Sequence, residues 1–238
     1  MEQRTIETRD GSSLAVSLWS PSREDAPGVV LIADLWGLDD GARSFAARLC
    51  VRGLRVLGFD ATRGTAPPAR DASGAELVAA ARAFADREVL ADADSALAEL
   101  TRSGTASGSV GIVGLGWGAL PAFLAACTRR SVGAVACLGG TLAREELDAR
   151  RPLHPLEMVL NLDVPLLRVH VADDPRSSAE ESAELLETLR RAHRTFEWVE
   201  ARGGVGLLDP AAPGYDESVA TRVQETSVAF LLEALDPS

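Results

Sequence analysis

The chain has 238 residues, 46% of them hydrophobic, with 35 acidic against 24 basic side chains and a net charge of −11. That length suits one α/β domain with a sizeable core, and the negative balance disfavours nucleic acid, whose phosphates it would repel. All 24 basic residues are arginine, as in proteins of GC-rich, bacterial-type composition. The opening MEQRTIETRDG holds no apolar signal core, and no apolar run reaches the roughly 18 residues of a membrane span, so a cytoplasmic location with no membrane partner is expected. Cys50, Cys127 and Cys137 lack metal-ligand spacing and lie in apolar segments, so reduced core thiols and no metal are expected.

In chain order, Arg4–Arg9 and Ser12–Trp19 alternate across Asp10-Gly11, a hairpin signal. Gly28–Ala33 (GVVLIA) is a continuous apolar run, as in a strand buried on both faces. A loop from Asp34 to Gly41 follows, with Asp39 or Asp40 placed to cap a helix through Arg52. Leu54–Phe59 reads as a strand, and Asp60–Gly74 as a Pro/Gly-rich loop long enough to be functional. An Ala-rich helical region then runs to Arg102 with a break near Arg87. Ser109–Val113 reads as a strand, a glycine-dense turn follows, and a helix runs to Arg129. Strands at Val132–Leu138, Val164–Val171 and Thr195–Glu200 alternate with an irregular stretch, Thr141–Leu162, and a helix, Ser178–Ala192. After the loop Arg202–Glu217, a closing helix spans Ser218–Leu235. This alternation predicts a mostly parallel, doubly wound α/β sheet with an antiparallel N-terminal hairpin, in one domain over 1–238.

The turn Gly114-Leu115-Gly116-Trp117-Gly118-Ala119 places Gly116 at the carboxyl end of a central strand, where open α/β sheets hold their ligands. Two strand–turn–helix devices fit. One is the nucleophile elbow, with a Ser or Cys at its centre. The other is the dinucleotide fingerprint, which Gly114, Gly116 and Ala119 satisfy. The fingerprint calls for an acidic residue at the end of the next strand, and that strand ends instead in Cys137-Leu138-Gly139-Gly140. No cofactor is therefore expected. Cys137 precedes a Gly pair but no helical pattern follows it, which favours an inert buried thiol.

The chain from about Ser12 to Leu235 resembles the dienelactone hydrolase family of α/β-hydrolases. Val29–Gly37 (VVLIADLWG) is similar to that family's strand and oxyanion loop, Gly53–Asp60 (GLRVLGFD) to its next strand, and Gly114–Ala119 to its elbow. Gly139-Gly140 is similar to the turn after the following strand, Val169–Pro175 (VHVADDP) to its acid loop, and Gly203–Tyr215 to its histidine loop. The resemblance implies an α/β-hydrolase fold. Carried over by position, it puts Gly116 at the nucleophile, Val205 at the histidine and Asp174 at the triad acid, with Asp34 beside the elbow. A glycine cannot attack a carbonyl, and an acid without an imidazole to orient loses its usual role.

Apart from any resemblance, the chain has three histidines, His154, His170 and His193, and none falls in the loop after the last strand. His154 and His193 read as solvent-exposed, and His170 as a satisfied strand-end residue. The resemblance implies backbone donors at Leu35 and Trp117, able to hold a carbonyl or carboxylate, with Leu35, Trp36, Trp117 and Val205 converging on a pocket above Gly116. Three readings stand. The leading one is a member without acyl-enzyme chemistry that binds a small apolar, carbonyl-bearing ligand or a partner. The second uses Asp34 and Asp174 as proton-transfer or water-activating groups. The third is a scaffolding protein. Oligomeric state is not legible.

Overall fold

A computed structural model describes residues 1–105, 110–144 and 146–235. Eight strands make one sheet in the order β1-β2-β4-β3-β5-β6-β7-β8. They are β1 (Glu2–Glu7), β2 (Ser13–Trp19), β3 (Gly28–Ile32), β4 (Arg55–Phe59), β5 (Val110–Leu115), β6 (Ala134–Leu138), β7 (Leu166–Val171) and β8 (Phe196–Ala201). Ser109, expected to begin the fifth strand, lies outside the described residues. The hairpin β1–β2 and the β2–β4 pair are antiparallel; the remaining pairs are parallel. Every residue of β3 through β7 is buried, which explains the apolar runs of β3, β5 and β6, while β4 and β7 also bury Arg55, Arg168 and His170.

The helices are α1 (Asp40–Val51), α2 (Gly74–Ala81), α3 (Asp86–Arg102), α4 (Ala119–Thr128), α5 (Pro155–Met158), α6 (Ala179–Arg191) and α7 (Glu217–Leu235). One apolar core joins α3, α4 and α6 to one sheet face, and a second joins α1 and α7 to the other. Asp39 caps α1 by accepting from Ala42 N at 2.8 Å, and the helix buries Ala42, Phe45, Ala46 and Leu49, a stripe at helical spacing. The helical region before β5 breaks at residues 82–85, a few positions earlier than expected, because Asp86 starts a new helix. Within the irregular stretch 141–162, Pro155 opens a one-turn helix, a position where its missing N–H costs nothing. Among the described residues, no helix is long and apolar enough to cross a membrane.

After β3 the chain passes to β4 on one side, then returns to β5 on the other. The crevice beyond the carboxyl ends of β3 and β5 is thus the switch point where such sheets bind ligands. The turn after β5 is tight: a single 3₁₀ turn, Gly116–Gly118, leads straight into α4. A Cβ on Gly114 would meet the Gly118 carbonyl and stand 2.5 Å from Ala119 Cα. Gly114→Ala must push backbone against backbone, so it is expected to lower stability by roughly 1–3 kcal/mol. Urea unfolding reads this directly, and an unchanged midpoint would contradict the packing described.

Candidate functional site

Gly116 sits at the apex of the turn with φ +52°, the left-handed region that side chains rarely adopt. A Cβ added there would fall on the Asp34 carboxylate. Asp34 follows β3 and is only 8% exposed. Its Oδ1 accepts from Leu35 N at 2.8 Å and from Trp117 N at 2.8 Å. Those are the two amides expected to hold a ligand's carbonyl, and here an internal carboxylate holds them. The expectation of open donors is corrected accordingly. The sequence could not reveal it, because the distance from Asp34 to Trp117 N depends on how β3 and β5 pair.

Arg176 completes the arrangement. Its Nη1 donates to Asp34 Oδ1 at 2.9 Å and Oδ2 at 3.1 Å. Its Nε and Nη2 grip Asp174 at 2.9 and 2.7 Å, the fork geometry that makes an arginine–carboxylate pair strong. Asp174 also accepts from Arg176 N at 3.0 Å and Gly140 N at 3.1 Å. Burial alone would push the Asp174 carboxyl up, but the hydrogen bonds and charge of Arg176 and these amides outweigh it and hold it below the usual range. The guanidinium, opposed by burial but flanked by Asp34 and Asp174, is held more firmly protonated than usual. Nearby Arg168, fully buried, donates to the Gly139 and Gly140 carbonyls at 2.6 and 2.5 Å. Its charge offsets the net −1 of the Asp34–Arg176–Asp174 group.

A chamber of about 30 Å3, space for a water or two, lies over Gly116 and is bounded by Asp34, Leu115, Leu138, Asp174, Arg176 and the 204–209 segment, among others. Among the described residues, none that lines it bears a hydroxyl, thiol or imidazole. Of the expected site residues Gly116, Asp34 and Asp174 border it, whereas none of Leu35, Trp36, Trp117 and Val205, the four expected to converge here, is among its lining residues. Leu35 contributes its amide while its side chain is buried. Trp117 instead lines a neighbouring apolar cavity. Gly204 and Gly206 border the chamber, but Val205 between them lines a separate small cleft with Arg202 and Tyr215. Trp36 faces an open groove, donating Nε1–H to Pro68 O at 2.9 Å.

His170 is buried as expected, with Nδ1 3.0 Å from Ser182 Oγ, and burial holds it below its usual pKa. His193 is exposed, whereas His154 is half-buried, with Nδ1 lacking a partner among the described residues. The Cys137 thiol is fully buried, donates to Ala119 O at 3.3 Å and is pushed up to about 12 by burial, an inert state. Among the described residues no cluster of three or more His, Cys, Asp or Glu could hold a metal ion.

Sequence reasoning missed Arg176, Arg70 and Asp209. Arg70, from the long 60–74 loop, stacks 4.7 Å over Trp36 and reaches Asp39 at 3.3 Å and Asp209 at 2.5 Å. Asp39 is thereby half-enclosed, and burial, with Asp209 adding to it, raises its pKa despite the Ala42 amide and Arg70. The one available signal for Arg176 was its place two residues after Asp174, the reach at which a side chain folds back on its own loop.

The family model described as the dienelactone hydrolase family matches residues 14–235. No curated protein matches the chain in sequence. Among solved structures, one described as a dienelactone hydrolase from Klebsiella pneumoniae subsp. pneumoniae MGH 78578 is 20% identical, covers 98% of each chain and superposes with a TM-score of 0.86. A dienelactone hydrolase-like promiscuous phosphotriesterase from metagenomic libraries is 21% identical over 98% of each chain, at 0.78. An acylaminoacyl peptidase of Pyrococcus horikoshii is 15% identical, at 0.76, with this chain spanning 42% of its length.

Arg176→Met would leave two buried carboxylates unpaired, at a cost of about 3–5 kcal/mol near neutral pH. In the native chain the lowered Asp174 pKa contributes stability that is present above the unfolded value of about 3.9 and lost as pH falls through the lower folded value. In Arg176→Met burial raises the Asp174 carboxyl instead, so its penalty grows as pH rises and fades as pH falls. The stability gap between the two proteins is therefore expected to narrow from about pH 7.5 to about pH 4.5 in urea titrations. A gap independent of pH would contradict the pairing.

Proposed function

The chain belongs to the dienelactone hydrolase family, and we propose that within it this protein binds a small apolar molecule without passing it through an acyl-enzyme. The observation that carries this reading is the Asp34 carboxylate on both the Leu35 and Trp117 amides. Acyl transfer needs such donors free, aimed at the oxygen where negative charge develops. An ester carbonyl arriving here would have to displace a carboxylate that the two amides and Arg176 hold together. A neutral carbonyl is a weaker acceptor than that anion.

Two further features agree with it. Gly116 at the apex offers no atom for attack, and no hydroxyl, thiol or imidazole borders the chamber among the described residues. Proton transfer through Asp34 or Asp174 has less support. Both carboxylates are bound by one guanidinium, and Asp174, held below its usual pKa by Arg176 and the amides, is a poor base at neutral pH.

The test is rapid mixing with p-nitrophenyl acetate and, in parallel, a p-nitrophenyl phosphotriester. No burst is expected with either, and the steady release is expected to match that of Asp34→Asn and Asp174→Asn within about twofold. A burst equal to the enzyme concentration, or turnover abolished by either substitution, would overturn the proposal.

A further inference from the structure

Arg176 also forms part of the wall of a second space, a cavity of about 130 Å3 bordered by α2, α3, the start of α4, Thr141, Ala143, Arg144, Glu146 and Arg151. Leu77, Phe84, Ala85, Val89, Trp117 and Leu120 give it an apolar lining. The rings of Phe84 and Trp117 lie 4.9 Å apart and tilted by 48°, an arrangement that presents flat faces and edges to a ring-shaped guest. Apolar cavities of about 150 Å3 accept benzene, so the space of about 130 Å3 here is on the scale of a single ring.

Charge narrows the chemistry further. Arg82, Arg144, Arg151 and Arg176 reach the wall, and every one has a carboxylate partner. Arg82 faces Glu146 at 3.7 Å, Arg144 grips Asp86 with both Nη atoms, Arg151 pairs with Asp148, and Arg176 with Asp34 and Asp174. An anionic guest would have to be stripped of water and then break one of these pairs to find a counter-charge. A neutral guest meets no such demand. Thr141 supplies one polar contact: half-buried on the wall, its Oγ1 accepts from Ala143 N at 3.0 Å and keeps its own hydrogen to donate.

We propose that this cavity binds an uncharged single-ring aromatic molecule bearing one carbonyl oxygen, with the ring against Phe84 and Trp117 and the oxygen on the Thr141 hydroxyl. The proposal rests on the non-hydrolytic reading above and places the ligand's carbonyl away from the amides that Asp34 occupies.

Calorimetric titration of the full chain with acetophenone and with benzoate, a neutral and an anionic ring of similar size, tests it. Saturable one-to-one binding of acetophenone is expected, with benzoate at least ~10-fold weaker. Ala81→Phe on α2 and Ala143→Phe on the segment after β6 each add bulk to the cavity wall and are each expected to weaken acetophenone ~10-fold or more; should one fail to fold, the other still reads the site. Thr141→Val is expected to weaken acetophenone about 5-fold while leaving ethylbenzene unchanged. Absence of saturable acetophenone binding, benzoate binding as tightly, or affinity indifferent to the cavity-filling changes would overturn the proposal. The ester assay separates the two ideas: turnover with acetophenone binding intact removes the non-hydrolytic reading alone, whereas silence in both experiments removes the cavity proposal alone.

Discussion

One guanidinium holds the functional end of this sheet together. Arg176 grips Asp174 with two nitrogens and Asp34 with the third. Asp34 ties the end of β3 to the turn after β5 through Trp117 N, and Asp174 ties the loop after β7 to the turn after β6 through Gly140 N. Four neighbouring strands are thus closed off at one point. Burying three charges is costly, and such a cluster is tolerable only when each lone pair and each proton finds a partner. Arg168 underpins it from the core, holding the carbonyls of Gly139 and Gly140, and Gly140 itself packs so closely on the Gly116 backbone that a Cβ there would collide with it.

The consequence for chemistry follows from place. The switch point of an α/β sheet gathers strand ends around a crevice, and in acyl-transferring relatives of this architecture the crevice holds a nucleophile, a base and a pair of amide donors. Here the apex is glycine, and the amides carry an internal carboxylate. A satisfied ion group sits in this crevice, with a space of about 30 Å3 above it. The larger apolar space lies to one side, across Arg176. The long 60–74 loop is drawn down nearby, with Arg70 stacked on Trp36 and reaching Asp39 and Asp209.

Much of the fold was legible because its signals are local. A continuous apolar run marked β3, Asp10-Gly11 marked the hairpin, and Asp39 or Asp40 marked the start of α1. Gly116 was legible from its place at the end of a central strand, and Asp34 and Asp174 through the resemblance to the dienelactone hydrolase family. Arg176 was not. An arginine in a polar loop of a chain that uses arginine for all its basic residues carries no mark of burial, and its partners lie 2 and 142 positions away. Val205 and Trp36 were assigned to the pocket by the resemblance, but neighbouring residues in an irregular loop point to different sides. Gly204 and Gly206 face the chamber, and Val205 does not.

The most direct measurement is made on the two amides themselves. Proton–nitrogen NMR of the full chain reports the Leu35 and Trp117 N–H groups, and both are expected to be shifted downfield and strongly protected from solvent exchange by the Asp34 carboxylate. Asp34→Ala should remove both signatures together while the rest of the sheet keeps its protection. Two amides that exchange as fast as exposed ones, or that are indifferent to the loss of Asp34, would mean that the donors stand open and that the site is free to hold a reacting carbonyl.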